Sequence, residues 1–288
     1  APQRIPYRSR CRAAQHRRVE HFSPSAEEMG TVEASAPLVA VRVISAAGAT
    51  ASPSPAITVT SAAPGRILVQ RPSTQLKKHF TFNLAAEPSL STAHIWPAFS
   101  ARVKQAATLG ESVLILASGA PASGKSRTIR GDEKAQGFGA LAIADMLQAS
   151  QTAAQEAGHQ ASLTVSAVIC VICAGGRERL LDALLPAETV QSNQGLTVRD
   201  HADGLPHASP TFVEALTSAQ VSTAAEAEQL VQQAVAATQR EEASAATVRA
   251  HLLLQCAVRT VSKDGGERLS CALLRVERRN CSHVLAGA

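Results

Sequence analysis

Val113-Leu-Ile-Leu-Ala-Ser-Gly119-Ala-Pro-Ala-Ser-Gly124-Lys125-Ser126 is the stretch on which the reading of this chain turns. Residues 113–117 are a short apolar run of strand type, leading straight into a complete G-x-x-x-x-G-K-[ST] signature. Each position has a physical job. Gly119 and Gly124 permit the tight, partly left-handed backbone that aims successive N–H groups at phosphate oxygens. Lys125 supplies a mobile cation for the outer phosphates. Ser126 offers a hydroxyl to Mg²⁺, and a helix opening here points its positive end at the anion. A Gly/Ser surface turn is the alternative, and it leaves the strand in front unexplained.

Length and composition bound what can surround that loop. At 288 residues there is room for one large domain or two small ones with a sizeable core. Aromatics make up only 3% of the chain, so the core must be filled by Leu, Val and Ala. No apolar run approaches the roughly 20 residues of a membrane span, so a soluble chain with no membrane partner is expected. The chain opens on Ala1 rather than Met, which reads as a processed or trimmed product. Of the six cysteines, Cys170 and Cys173 form a C-x-x-C inside the apolar run 165–173. They read as structural thiols of a buried strand rather than a redox or metal pair, and no second pair completes a zinc site. Scattered thiols without a disulfide framework fit a reducing, cytoplasmic compartment.

The net charge of +5 is unevenly spread. Arg4, Arg8, Arg10, Arg12, Arg17 and Arg18 crowd the first eighteen residues, with no acid before Glu20. Residues 1–34 therefore read as a basic N-terminal extension. It is either a solvated flexible tail, an arm for an acidic surface, or a segment resembling an organelle transit peptide. Nucleic acid is not the expected partner.

From residue 35 on, the pattern alternates. Strands are expected at 37–45, 57–60, 66–69, 79–83, 112–116, 163–173, 251–261 and 269–274, with Lys263-Asp-Gly-Gly266 as a hairpin turn. Helices are expected at 93–108, from Lys125, at 139–157, at 178–185 and at 224–239, the last with apolar residues at helical spacing. Such alternation predicts an α/β fold, with a mixed central sheet, helices on both faces and the phosphate loop at the C-terminal edge of a central strand.

The residues around the loop carry a family resemblance. Ser118-Gly-Ala-Pro-Ala-Ser-Gly-Lys-Ser-Arg-Thr128-Ile-Arg-Gly131 resembles the kinesin phosphate loop, G-Q-T-G-S-G-K-T-Y-T-M-x-G. Gly137-Phe-Gly-Ala-Leu-Ala-Ile-Ala-Asp-Met-Leu147 is similar to the kinesin segment G-I-I-P-R-A-I-x-D-L-F. Upstream, Lys78-His-Phe-Thr-Phe82-Asn83 resembles its F-x-F-D strand, Ile95–Phe99 with Val103 its following helix, and Leu38–Ser45 its first strand, V-x-V-R-V-R-P. The resemblance runs from residue 37 to about 280, with 35–288 read as a kinesin-like motor domain of the P-loop NTPase class, incomplete at its C-terminus. It implies ATP or ADP held by Gly119, Ser123, Gly124, Lys125, Ser126 and Arg127, with Mg²⁺ at Ser126 and Thr247. It implies a microtubule or tubulin-associated partner and a cytoskeletal location.

Departures from the family pattern shape the functional expectation. The first switch, N-x-x-S-S-R-S-H, is matched by Ser244-Ala-Ala-Thr247-Val248-Arg249-Ala250-His251, which keeps Arg249 and His251 but puts Val248 at a serine. The second, L-V-D-L-A-G-S-E, is matched by Cys271 to Arg278. Pinning Glu277 to the family Glu puts Ala272 at the Asp and Arg275 at the Gly, and sliding by one puts Leu273 and Val276 there. Arg249 and Glu277 are then the family's switch ion pair. Near the base, the R-P pair is replaced by Ile44 and Ser45. Phosphoryl transfer depends on positioning and charge, so these losses predict impaired hydrolysis and a structural or adaptor role, a pseudo-motor. The rivals are an active motor, as a fragment of a longer kinesin, or an unrelated P-loop NTPase.

Overall fold

The structure, a computed structural model, describes residues 37–43, 57–62, 64–70, 76–119, 123–132, 135–173, 175–186, 195–200, 211–244, 247–262 and 267–276. The basic extension, the expected turn 263–266, Ile44, Ser45 and Glu277 lie outside these. Contacts divide the chain into two compact units, one ending at Phe99 and the other continuing from Ser100.

In the first unit the chain forms β1 (Ala40–Arg42), β2 (Ile57–Ser61), β3 (Gly65–Gln70), β4 (Lys77–Phe82), β5 (Leu84–Ala86) and the short α1 (Thr92–Ile95). Strands β2, β3 and β4 make an antiparallel meander. Strand β5 is too short to show a period in the sequence. It exists because β1 lies parallel to it, Ala40 opposite Leu84 and Arg42 opposite Ala86. The Asn83 side chain accepts the Val39 N–H at 2.8 Å, and the Asn83 N–H returns to the Val39 carbonyl at 3.1 Å, so the pair is pinned at its start. Gly65 is required where β3 passes β5, since a Cβ there would lie 2.3 Å from the Ala85 nitrogen. The single helix expected at 93–108 is instead two, α1 and α2 (Pro97–Leu109). Pro97 has no N–H and a φ already suited to a first helical turn, so it ends one helix and opens the next.

From Ser100 the order is the rest of α2, β6 (Val113–Ala117), α3 (Lys125–Arg130), the two-residue strands β7 (Gly131–Asp132) and β8 (Ala135–Gln136), and α4 (Phe138–Glu156). Then come β9 (Gln160–Cys173), β10 (Glu178–Asp182), β11 (Val198–Asp200), β12 (Thr211–Val213), β13 (Ala219–Val221), α5 (Ala224–Glu242), β14 (Thr247–Val261) and β15 (Glu267–Val276). The main sheet runs β10-β9-β14-β15-β6, with β13 also on β9. It is mixed, with β6 parallel to β15 and the other pairs antiparallel. Among the described residues β6 ends the path, so the strand carrying the loop has one partner rather than two.

Register explains the core. Leu163, Val165, Ala167, Ile169 and Val171 on β9 face Val258, Cys256, Leu254, Leu252 and Ala250 on β14, and all ten are buried. Helices α4 and α5 pack on these strands and on each other. Their inward residues, among them Ile143, Met146, Ala227, Val231 and Ala234, are buried, and the small ones let the helices come close. Helix α5 starts at Thr223, whose hydroxyl accepts the Glu226 N–H at 3.2 Å while the Glu226 carboxylate accepts the Ser222 N–H at 2.7 Å. Asp145 of α4 accepts from Ser100 at 2.6 Å and lies 3.3 Å from the Lys104 ammonium, which orients the α2 segment.

The helix expected over 178–185 is not formed. Glu178–Asp182 is strand β10, Glu178 opposite Ile172 and Asp182 opposite Val168. The turn before it contains Gly175 and Gly176 with φ of +88° and +78°, a hairpin signal. The open edge of β9 then outweighs the weak helical preference of so short a segment. Buried Asp182 stops the strand by accepting the Leu184 N–H at 2.9 Å and the Thr217 N–H at 2.7 Å. Cys170 and Cys173 lie on β9 in no disulfide.

Candidate functional site

Three chain segments meet at one end of the main sheet. Parallel pairing sets Val276, the last residue of β15, level with Ala117, the last of β6. Antiparallel pairing sets Val276 opposite Leu252 near the start of β14. The loop after β6, the chain leaving β15 and the segment Thr247–His251 entering β14 therefore share that end, as ligand sites of open α/β sheets do.

The loop is built around its lysine. Gly124 caps α3 with φ +78°, and Gly119 has φ +156°. A Cβ on Gly119 would stand 2.6 Å from the Ser123 hydroxyl, and the positive φ strains any side chain there. Lys125 is 6% exposed. Its ammonium donates to the Gly119 carbonyl at 2.6 Å and to the Ser123 hydroxyl at 3.2 Å, spanning the loop from inside. Thr128 ties the first turn of α3 back to the Gly124 carbonyl through its hydroxyl at 3.1 Å and its N–H at 2.8 Å. Ser123 and Ser126 are half-buried, while Arg127 is exposed on the helix surface.

Behind the loop, Ser126 and Ile129 of α3, Val235, Thr238, Gln239 and Glu242 of α5, and Ala250 and Leu252 of β14 line one cleft. Gln239 and Glu242 were not singled out from sequence. The signal was present, because both stand on the last turns of the helix that feeds the switch-like segment. Thr247 pairs with Cys173, and the register then shifts before Arg249 pairs with Ile172, leaving Val248 in a bulge. The Nε of Arg249 is buried and has no hydrogen-bond partner among the described residues. An orphaned guanidinium N–H costs about 1–3 kcal/mol or more, so this atom fits a site completed by an anion or carboxylate. Ser244 is exposed. No group of three or more His, Cys, Asp or Glu among the described residues could hold a metal. No described helix is long and apolar enough to cross a membrane.

The structure thus brings Gly119, Ser123, Gly124, Lys125, Ser126 and Arg127 together as one loop and helix start, with Thr247 and Arg249 on the strand that enters at the same sheet end. Ala272 is not beside them. It stands level with Val113 at the opposite end of β6, four residues before Val276 and about 13 Å further along the strand.

A strand, a loop that turns on two positive-φ glycines and a helix opened by Lys125 define a P-loop NTPase fold. The kinesin motor domain model matches residues 41–277, and the chain belongs to that family. Its fold is similar to the motor domain of the Kar3-like kinesin from Ashbya gossypii, with a TM-score of 0.62 at 15% identity, covering 84% of this chain and 71% of that one. It is also similar to a fast kinesin described for its ATPase mechanism and microtubule interactions, with a TM-score of 0.67 at 17% identity, covering 87% of this chain and 68% of that one. No curated protein matches it. Kinesin motor domains in general bind nucleotide with Mg²⁺ and interact with microtubules.

Proposed function

We propose that this chain binds ATP or ADP with Mg²⁺, hydrolyses ATP poorly, and serves as a structural or adaptor subunit of a cytoplasmic, microtubule-associated assembly. The observation that carries the proposal is the loop itself, a glycine cradle that a Cβ would fill, with a buried lysine ammonium inside it. Gly119, Ser123, Gly124 and Lys125 would hold the phosphates, and Arg127 would approach from the helix surface. Ser126 would offer its hydroxyl to the metal, with Thr247 on the facing strand. When bound, the metal neutralises charge on the outer phosphates. The basic residues 4–18 would strengthen attachment to an acidic surface.

Impairment rests on Val248, which brings no hydroxyl to the segment entering β14, and on the absence of an acid in β15 beyond Glu267. Measuring bound nucleotide in the purified chain and its turnover with and without microtubules tests the reading.

The strand register favours a second reading. Val276, not Ala272, stands level with the end of β6, so the next residue in sequence is Glu277. In that reading Glu277 supplies the carboxylate that the family's Asp gives to the metal's water shell, and Arg275 no longer stands in the place of a phosphate-sensing glycine. The chain is then closer to an active motor. Its test is whether Mg²⁺ strengthens nucleotide binding through Glu277.

A further inference from the structure

The β2-β3-β4 meander carries a charged face that the nucleotide site does not use. No Asp or Glu occurs between Glu33 and Glu87, a stretch that contains Arg42, Arg66, Arg71, Lys77, Lys78 and His79. Register sorts the meander's residues by face. Arg66 stands opposite Thr81, Leu68 opposite His79 and Gln70 opposite Lys77, all on one face. Ile67 opposite Phe80, Val69 opposite Lys78 and Gly65 opposite Phe82 lie on the other. Ile67 and Gly65 are buried, so the Arg66–His79–Lys77 face is the one turned outward. Every residue of β4 from Lys77 to Thr81 is exposed. Arg66, Lys77 and Lys78 form no ion pair among the described residues.

Strand β4 also ends its sheet among the described residues, with β3 as its one partner. Its other backbone edge therefore offers N–H and C=O groups at strand spacing. Lysines on an edge repel neutral and basic strands, so the edge selects by charge. Lys77 and His79 are two residues apart on one face, about 7 Å, the spacing of same-face side chains in any extended peptide laid beside them. Single-stranded nucleic acid would want aromatic platforms beside the cations. Here Phe80 and Phe82 lie on the face opposite Lys77, His79 and Arg66, and of the meander's cations only Lys78 shares theirs, so most of the positive charge is turned away from the rings.

We propose that β4 is a docking edge for an acidic, extended peptide of a partner protein. The peptide adds as a strand and sets its alternate carboxylates against Lys77, His79 and Arg66, with Lys78 at the rim. Main-chain pairing gives affinity and the charges give selection.

The test uses the full chain and a fluorescein-labelled ten-residue peptide of alternating Glu and Val, followed by anisotropy at low and physiological salt. Saturable binding that weakens with salt is expected. The double variant Lys77→Glu/Lys78→Glu should bind about tenfold or more weakly, whereas Lys77→Arg/Lys78→Arg should keep the affinity within about threefold. The same peptide N-methylated at every residue should bind weakly, because neither of its edges can donate a hydrogen bond to β4. Circular dichroism superimposable on wild type shows that the variants are folded. Undiminished binding by the Glu variant, equal binding of the methylated peptide, or displacement by an oligothymidylate at lower concentration than unlabelled peptide would each overturn the proposal.

Discussion

Val276 and Ala117 stand level across the one parallel strand pair that the described residues give the main sheet, each the last residue of its strand. Strand direction and register together decide which β15 backbone positions lie at the loop's end of the sheet. A residue four positions back does not, because it lies about 13 Å away along the strand. The acid that follows Val276 in the sequence is Glu277.

Glu277→Gln keeps size and removes charge, so it separates the two functional readings. If Glu277 orders the metal's water shell, Mg²⁺ should tighten ATP binding in the wild type and do so about tenfold less in the variant, with affinity in EDTA unchanged. Calorimetry in Mg²⁺ and in EDTA reads both. An identical Mg²⁺ effect in the two proteins removes the second reading and leaves the loop's nucleotide binding intact.

Lys125→Ala removes the one cation inside the loop and leaves the Gly119 carbonyl without the donor at 2.6 Å. A charge-assisted contact to phosphate is among the stronger single interactions. ATP and ADP affinity should fall by about a hundredfold or more while the far-ultraviolet circular dichroism stays that of the wild type. Equal affinities would sink the assignment of the loop.

Thr223→Ala tests the fold away from the site. The Thr223 hydroxyl accepts the Glu226 N–H, and Glu226 closes on Ser222. Losing such a cap costs about 0.5–2 kcal/mol. A urea unfolding midpoint lowered to match, with nucleotide affinity unchanged, is expected.

Parts of this architecture were legible in the sequence, and the reasons differ by residue. The loop was legible because Gly119, Gly124, Lys125 and Ser126 act at fixed spacing and need no distant partner. Helix α5 was legible from its apolar spacing. Strand β10 was not, because Glu178–Asp182 is too short to fix its own structure and takes it from the edge of β9. Strand β5 likewise depends on β1. The register of β15 was the costliest omission. Cys271–Val276 is an apolar run broken only by Arg275, so sliding it leaves the pattern nearly unchanged. Only pairing with Val113–Ala117 fixes it.

Hydrolysis should be slow in the wild type and partly restored by Val248→Ser. Thr247 pairs with Cys173 and Arg249 with Ile172, so the bulge at Val248 lies between the two switch-like residues that the strand holds in place. Valine cannot donate or accept a hydrogen bond, whereas a serine hydroxyl does both. One well-aimed donor in a phosphoryl-transfer site is worth about 10²–10³ in rate, and a replaced donor recovers only part of that because its surroundings were not built for it. The expected outcome is a wild-type microtubule-stimulated turnover well below the roughly 1–10³ s⁻¹ of ordinary enzymes, and a Val248→Ser rate about tenfold higher at unchanged ATP affinity. The affinity control matters because a hydroxyl that tightened ground-state and transition-state binding equally would lower KM and leave kcat alone. Turnover in the wild type already within the ordinary range would refute the impaired-hydrolysis reading. It would then fall to Glu277→Gln to identify the carboxylate responsible.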